Sequence, residues 1–234
     1  MTEHTHRQFD NEMEAIRSGV LTMGGLVETQ MARAIALVDA KDDAGIGEEV
    51  ASDEKTINQM QVDMDLACSQ IIAKRQPTAI DLRMVLTVTK IVNDLERVGD
   101  EAKKIAKKAS QGAQNSRLAQ VRSFDVSRAA TRAKDMLQLA LDAFARLDVV
   151  AAAEVIDLDD EIDAAFSAIL RQLISYMMED PRTISPALEI VFIAKSIERI
   201  GDHAKNIAEA VVQVVKGIDV RHASAEQIRA EVSE

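Results

Sequence analysis

Apolar side chains recur at steps of three and four along six stretches of the chain, with short polar breaks between them. The spacing predicts long amphipathic helices at 8–40, 46–75, 79–109, 118–147, 151–179 and 184–216. In the third stretch Ile91, Leu95, Val98, Ala102 and Ile105 form a seam at alternating steps of four and three. Ile193, Ile197, Ile200, Ala204 and Ile207 form the same seam in the sixth. A seven-residue period of this kind packs like a coiled coil against antiparallel neighbours. The polar, uncharged run at 110–116 divides the six stretches into two sets of three. Pro77 and Pro181 fall at matching places, each between the second and third stretch of its set. Thr78 and Thr183, close behind them, are read as helix caps, and Gly217 as a helix stop. The fold expected is all-α: two tandem three-helix bundles, elongated, at 8–110 and 117–217, followed by a C-terminal tail at 218–234.

One hexapeptide repeats almost letter for letter. Leu95-Glu96-Arg97-Val98-Gly99-Asp100 returns 102 residues later as Ile197-Glu198-Arg199-Ile200-Gly201-Asp202, which marks an internal duplication. Each copy sets a Glu and an Asp four apart, about 40° from one another around the helix axis, so their carboxylates can converge. The apolar seam lies nearly opposite, and the pair is expected to face out of its own bundle. The second helix of each set offers a partner pair. Asp159 and Asp163 flank Ile162, and Glu54 and Asn58 flank Ile57. Two such pairs on adjacent antiparallel helices bring three or four oxygens together, an environment suited to Mg²⁺, Mn²⁺ or iron. The competing reading is a solvated helix face on which Arg97 and Arg199 form surface ion pairs of little energetic weight.

Composition narrows the classes further. Hydrophobic residues make up 47% of the 234 and aromatics only 3%, with no Trp, three Pro and nine Gly, a balance that favours helices over sandwiches and barrels. The net charge of −11 is spread over both halves and leaves no basic face, so nucleic acid is not an expected partner. Lys103, Lys104, Lys107 and Lys108 end a predicted helix and complement its dipole. No uncharged run is long enough to span a bilayer, and residues 1–7 lack the apolar core of a signal peptide. A single cysteine, Cys68, cannot form an internal disulfide and reads as a small core residue; the expected location is the cytoplasm.

Other chemistry is sparse. Gly19, Gly24 and Gly25 do not build a phosphate loop. His4 and His6 precede the first apolar stripe and read as tail. His203 adjoins Asp202 but points elsewhere on the helix. Neither repeat carries the Glu-x-x-His pair of a ferritin-like di-metal oxidase, and no nucleophile, base and orienting group occur as a set, so an enzyme is not expected.

Several segments carry a family resemblance. Ala73-Lys-Arg-Gln-Pro-Thr-Ala-Ile-Asp-Leu-Arg83, both Leu/Ile-Glu-Arg-x-Gly-Asp copies, Met177-Met-Glu-Asp-Pro-Arg-Thr183 and Val215-Lys-Gly-Ile-Asp-Val-Arg-His222 occur in order. Together the chain resembles the PhoU family, accessory regulators of phosphate uptake and phosphate-starvation signalling, from about Phe9 to His222. The resemblance implies two tandem three-helix bundles and surface metal clusters of iron, zinc, manganese or magnesium. Carried over, the ligands are Glu96 and Asp100 with Glu54 and Asn58, and Glu198 and Asp202 with Asp159 and Asp163. Asn58, a neutral amide, and Lys104, where the second copy has Asn206, make the first set the poorer site. The resemblance further implies an adaptor between the ATPase subunit of a Pst-type phosphate transporter and a sensor histidine kinase, acting as a negative regulator. A homodimer is expected. A metal-storage or metal-homeostasis bundle is the alternative.

Overall fold

The computed structural model describes residues 2–39, 44–110 and 125–221, together with 227 and 231. It contains six long helices: α1 (Thr2–Asp39), α2 (Ala44–Arg75), α3 (Ala79–Ser110), α4 (Ser127–Arg146), α5 (Val149–Glu179) and α6 (Ile184–Lys216). A single 3-10 turn at Pro181–Thr183 links α5 to α6, and no strand occurs among the described residues. The all-α expectation holds. α1 begins at Thr2, so the backbone carrying His4 and His6 is helical rather than tail. The linker expected at 110–116 lies outside the described residues apart from Ser110, which still belongs to α3. The tail beyond Arg221 is likewise outside them, save for two positions.

Within each set of three the helices pack on one another, and the two sets meet along α3 and α6, with α1 also touching α4. The repeat is visible in burial. Met23, Val27, Met31 and Ala34 are buried in α1, and Ala129, Ala133, Leu137 and Ala140 repeat those steps in α4. The expected seams are both fully formed: Ile91, Leu95 and Val98 are inaccessible, as are Ile200, Ala204 and Ile207. One apolar cluster runs through both sets without a gap.

α3 buries far more than its seam. Val85, Val92, Gly99 and Ala106 form a second line seven residues apart, all buried. A third line is polar: Thr87, Asp94, Glu101 and Lys108. On α6 the same repeat positions are Glu189, Ser196, His203 and Ala210, and the two lines meet antiparallel. Lys108 Nζ lies 2.6 Å from Glu189, His203 Nδ1 lies 2.9 Å from Asp94, and Arg199 donates to Glu101 at 3.2 Å. The contact between the repeats is therefore a ladder of polar pairs laid between apolar seams.

Helix ends follow local chemistry, with one correction. Asp148 caps α5 by accepting from the amides of Val150 and Ala151 at 3.0 and 3.1 Å. Asp180 plays the same part for the 3-10 turn, accepting from the Arg182 amide. Thr183 does not cap α6: its hydroxyl donates backward, to the carbonyls of Tyr176 and Asp180. The proline before it starts the turn early, so Asp180 and not Thr183 sits where the free amides point. Gly217 ends α6 as expected, with φ 75° and its amide on the Gln213 carbonyl. The Arg83 guanidinium fills the space a side chain would need there.

One oxygen, Asp148 Oδ1, accepts from both amides. Asp148→Ala should therefore lower stability by about 1 kcal/mol in urea titration, while Asp148→Ser should retain most of it. An unchanged midpoint in the alanine variant would refute this assignment of the cap.

Candidate functional site

The duplicated hexapeptide places its glycine, not its acids, at a close helix contact. A methyl group added at Gly99 would meet Gln30 Oε1 at 3.0 Å, Ile57 Cδ1 at 3.3 Å and Glu54 Oε2 at 3.5 Å. One added at Gly201 would meet Ile162 Cγ2 at 3.3 Å and Asp159 Oδ1 at 3.5 Å. In both repeats the missing side chain lets the second helix press its acid against the third. Glu54 is 3% exposed and Asp159 is 4% exposed, values that ordinary surface carboxylates do not reach. Asn58 and Asp163, one turn further, are exposed.

The motif acids flank this contact. Glu96 and Asp100 are half-buried at the α2/α3 edge, Glu198 is half-buried and Asp202 exposed at the α5/α6 edge. The outward-facing expectation holds for Asp202 and is corrected for Glu96 and Glu198, which are half-buried. The pairs lie on the rim of their own bundle, against its second helix, because the glycine turns that side of the helix inward. Partial burial, then Asp100 and Glu54, push the Glu96 carboxyl above its ordinary value of 4.5. Partial burial, then Asp159 and Glu198, push Asp163 upward. Asp202 is raised by burial and then by Glu198, Asp159 and Asp163 together. The four acids of the second repeat thus act on one another, and three of those in the first repeat do.

Lysines answer both edges. Lys205 Nζ bonds Asp159 at 2.7 Å, and Lys103, the same position in the first repeat, lies 3.7 Å from Glu54. Lys195 reaches Glu198 at 2.5 Å, and Lys104 reaches Asp100 at 2.9 Å. Burial works against the charge of Lys205, but its bond to Asp159 and the charges of Asp159, Glu209 and Asp160 together outweigh this and raise its pKa. Asn58 turns its amide nitrogen to Glu54 Oε1 at 3.4 Å and acts as a donor in this arrangement. Buried Gln30, from α1, donates to Glu54 Oε2 at 3.3 Å and to the Val50 carbonyl at 3.2 Å. Among the described residues no group of three or more His, Cys, Asp or Glu is arranged around a common point for a metal ion. Chemically, each edge is a set of carboxylates held together at a cost in repulsion and offset by lysine ammonium groups.

Some members of the edges were not legible in the sequence. Gln30 shows only as a polar break in the α1 stripe, at a place where α4 has Met136. Lys103 reads as a helix-end charge, and Lys195 and Lys205 carry no signal of their own; Lys104 reads as a cation beside Asp100, where it is found. His203 stays out of the edge, as expected, and pairs with Asp94 across the repeats. Cys68 is 2% exposed, and burial raises its thiol pKa, in keeping with a core residue.

Carboxyls with raised values in the fold hold protons more tightly than in the unfolded chain. Their ionised forms therefore subtract from stability at neutral pH, and this loss disappears as pH falls toward 4.5 for Glu and 3.8 for Asp. Asp202→Asn should raise Tm at pH 7 by about 1–3 °C, allowing for solvent screening, and should reduce the gain in stability as pH falls from 7 toward 3.8. A lowered Tm at pH 7 would show that attraction to lysine outweighs repulsion among the acids.

Known proteins share both the sequence and the fold. The family model for the PhoU domain matches twice, at residues 20–109 and 126–211. A phosphate-specific transport system accessory protein PhoU homolog of Pseudomonas aeruginosa is 44% identical over 234 residues, covering 99% of this chain and 95% of that protein. The phosphate-specific transport system accessory protein PhoU of Escherichia coli is 41% identical, covering 97% and 93%. The crystal structure of PhoU from Pseudomonas aeruginosa superposes with a TM-score of 0.82 over 90% of this chain and all of that one, at 44% identity. The phosphate transport system regulatory protein PhoU from Streptococcus pneumoniae does so with a TM-score of 0.81 over 91% and 99%, at 26% identity. Two PhoU domains meet through the polar ladder of α3 and α6, and the chain belongs to the PhoU family.

Proposed function

We propose that the chain is an accessory regulator of phosphate uptake, acting in the cytoplasm as an adaptor between the ATPase subunit of a phosphate transporter and a membrane sensor histidine kinase. When phosphate is abundant it restrains the kinase and keeps starvation genes silent. The names of its relatives support the transport role, and no described helix is long and apolar enough to cross a membrane. The observation that carries the adaptor reading is the duplicated acidic edge. One rigid scaffold presents the same glycine-seated carboxylate cluster twice, which suits a protein that must engage two partners by contact rather than turnover. Self-association is part of the reading, since Val62 and Leu66 leave an apolar strip exposed on α2.

The edges also supply the donors for a metal. Glu198, Asp202, Asp159 and Asp163 offer only hard oxygen donors, the chemistry that Mg²⁺, Mn²⁺ or ferric iron selects, with Zn²⁺ also able to use them. A bound cation would take over the charge balance that Lys195 and Lys205 now provide. The first edge, with Glu54, Glu96, Asp100 and the amide Asn58, is the weaker candidate because Asn58 offers a neutral oxygen where the second edge has the carboxylate of Asp163. Storage of metal, without transporter or kinase, is the competing reading of the same residues.

The deciding experiment measures alkaline phosphatase output in a strain lacking the gene and grown with abundant phosphate. Output should be high in the deletion, fall at least tenfold with the wild-type gene, and stay high when Glu96, Asp100, Glu198 and Asp202 are all Ala but the protein accumulates normally. Low output in the deletion would defeat the adaptor reading and favour storage. Full repression by the quadruple variant would remove the edges from the function.

A further inference from the structure

The groove between α5 and α6 changes character along its length. Ile162 against Gly201, and Lys195 over the Phe166 ring at 5.4 Å from its centroid, set the antiparallel register of the two helices. That register puts Leu170 level with Val191, Ile174 with Leu188, and Met178 with Ile184. On α6 the row Ile184, Leu188, Val191, Lys195 continues at steps of three and four into Glu198 and Asp202, on one face. On α5 the row Met177, Ile174, Leu170, Phe166 continues in the same way into Asp163 and Asp159. One half of the groove is therefore apolar and the other is the second acidic edge, with Lys195 at the boundary. Ile174, Ile184 and Leu188 are exposed, and Met178 is 81% exposed.

The first repeat shows that the fold does not require this. Gln61, Asp65 and Ser69 stand where the second repeat has Phe166, Leu170 and Ile174, and Thr89 and Asn93 stand for Val191 and Lys195. Gln61 closes that groove by donating to Asn93 at 2.8 Å, and Leu86 alone matches its apolar counterpart, Leu188. Single apolar side chains on a surface need no explanation, but a contiguous strip running into a charged one marks a contact surface. The acidic half sets four carboxylates, Asp159, Asp163, Glu198 and Asp202, against two ammonium groups, Lys195 and Lys205. Two negative charges are left over, on a chain whose net charge is −11. An anionic lipid surface is repelled by that half, and a second copy brings a like-signed half of its own. The matching occupant is apolar along one part and basic along the next.

We propose that this groove is the docking site for an amphipathic helix of a partner protein, its apolar stripe seated between α5 and α6 and its lysines or arginines set against the acidic edge. From Phe166 to Met177 the apolar strip runs about 17 Å, three helical turns, and the acids add about 10 Å. A third helix laid along two antiparallel ones fits that length and uses the packing of a bundle. This role rests on the reading that the edges engage partners, and it gives the second edge a partner chemistry that the polar first groove does not match.

Fluorescence anisotropy with a labelled synthetic peptide tests it. The probe is an alanine-based helix of about 18 residues, or five turns, with leucines along one face of its first three turns and lysines on that face of the last two. With EDTA present to keep metal from the edge, the full chain should bind it saturably with a Kd in the micromolar range, and a peptide with glutamates for lysines at least tenfold more weakly. Ile174→Ser combined with Leu188→Ser should keep the parental Tm, since both positions are exposed, and weaken binding at least tenfold. Val62→Ser combined with Leu66→Ser, on the α2 strip, should leave binding unchanged. Equal binding by the Ile174 and Leu188 variant, equal loss in both variants, indifference to peptide charge, or no saturable binding would overturn the proposal. So would loss of a dimer in sedimentation, or of binding to phosphatidylglycerol vesicles, in the Ile174 and Leu188 variant, because a second copy or lipid would then be the occupant. Phosphatase output enters none of these measurements, so docking in this groove and the regulatory role fail separately.

Discussion

Everything distinctive about this protein hangs on two close helix approaches, at Gly99 and Gly201. Glycine costs a helix interior roughly 1 kcal/mol relative to alanine, so its place in the middle of two long helices needs a packing reason. The reason is visible in the contacts: Ile57 and Glu54 on one side, Ile162 and Asp159 on the other, fill the volume a side chain would take. By letting the second helix in, each glycine buries an acid beside two more on the third helix. Repulsion follows, and it is offset by lysines from the same turn of helix.

The same helices carry a different chemistry on their remaining side. Apolar seams hold each bundle, and the ladder Thr87, Asp94, Glu101, Lys108 holds the bundles to each other. Polar pairs in such a seam add orientation more than net stability, since each must first be stripped of water. A ladder that pairs only in one antiparallel register fixes where the two acidic edges lie relative to one another. That geometry, rather than any catalytic group, is what the proposed adaptor role would use.

Much of this was legible in the sequence. Ile91 to Ile105 and Ile193 to Ile207 announced their seams because period and hydrophobicity agree there, and the repeated hexapeptide announced the edges. The ladder was hidden because its residues are polar, and a reading based on apolar period assigns such residues to solvent. Facing was misjudged for Glu96 and Asp100 for a related reason: the seam shows where one neighbour packs, but a glycine invites a second neighbour onto another side. The roles of Lys103 and Lys205 needed the second helix in place before their targets existed. Asp148 as a cap could have been found, being an acid just ahead of an apolar run. Thr183 was misread because Pro181 shifts the helix start.

The claim at the centre is that glycine contact, not charge alone, builds the acidic edge. Gly201→Val tests it most directly, read by the carboxyl titration of Asp202 in NMR spectra. If the contact builds the edge, the valine forces α5 and α6 apart, and the Asp202 pKa falls back toward its ordinary value of 3.8 while urea stability drops by about 1–3 kcal/mol. An Asp202 titration and a stability both unchanged from the parent protein would contradict it.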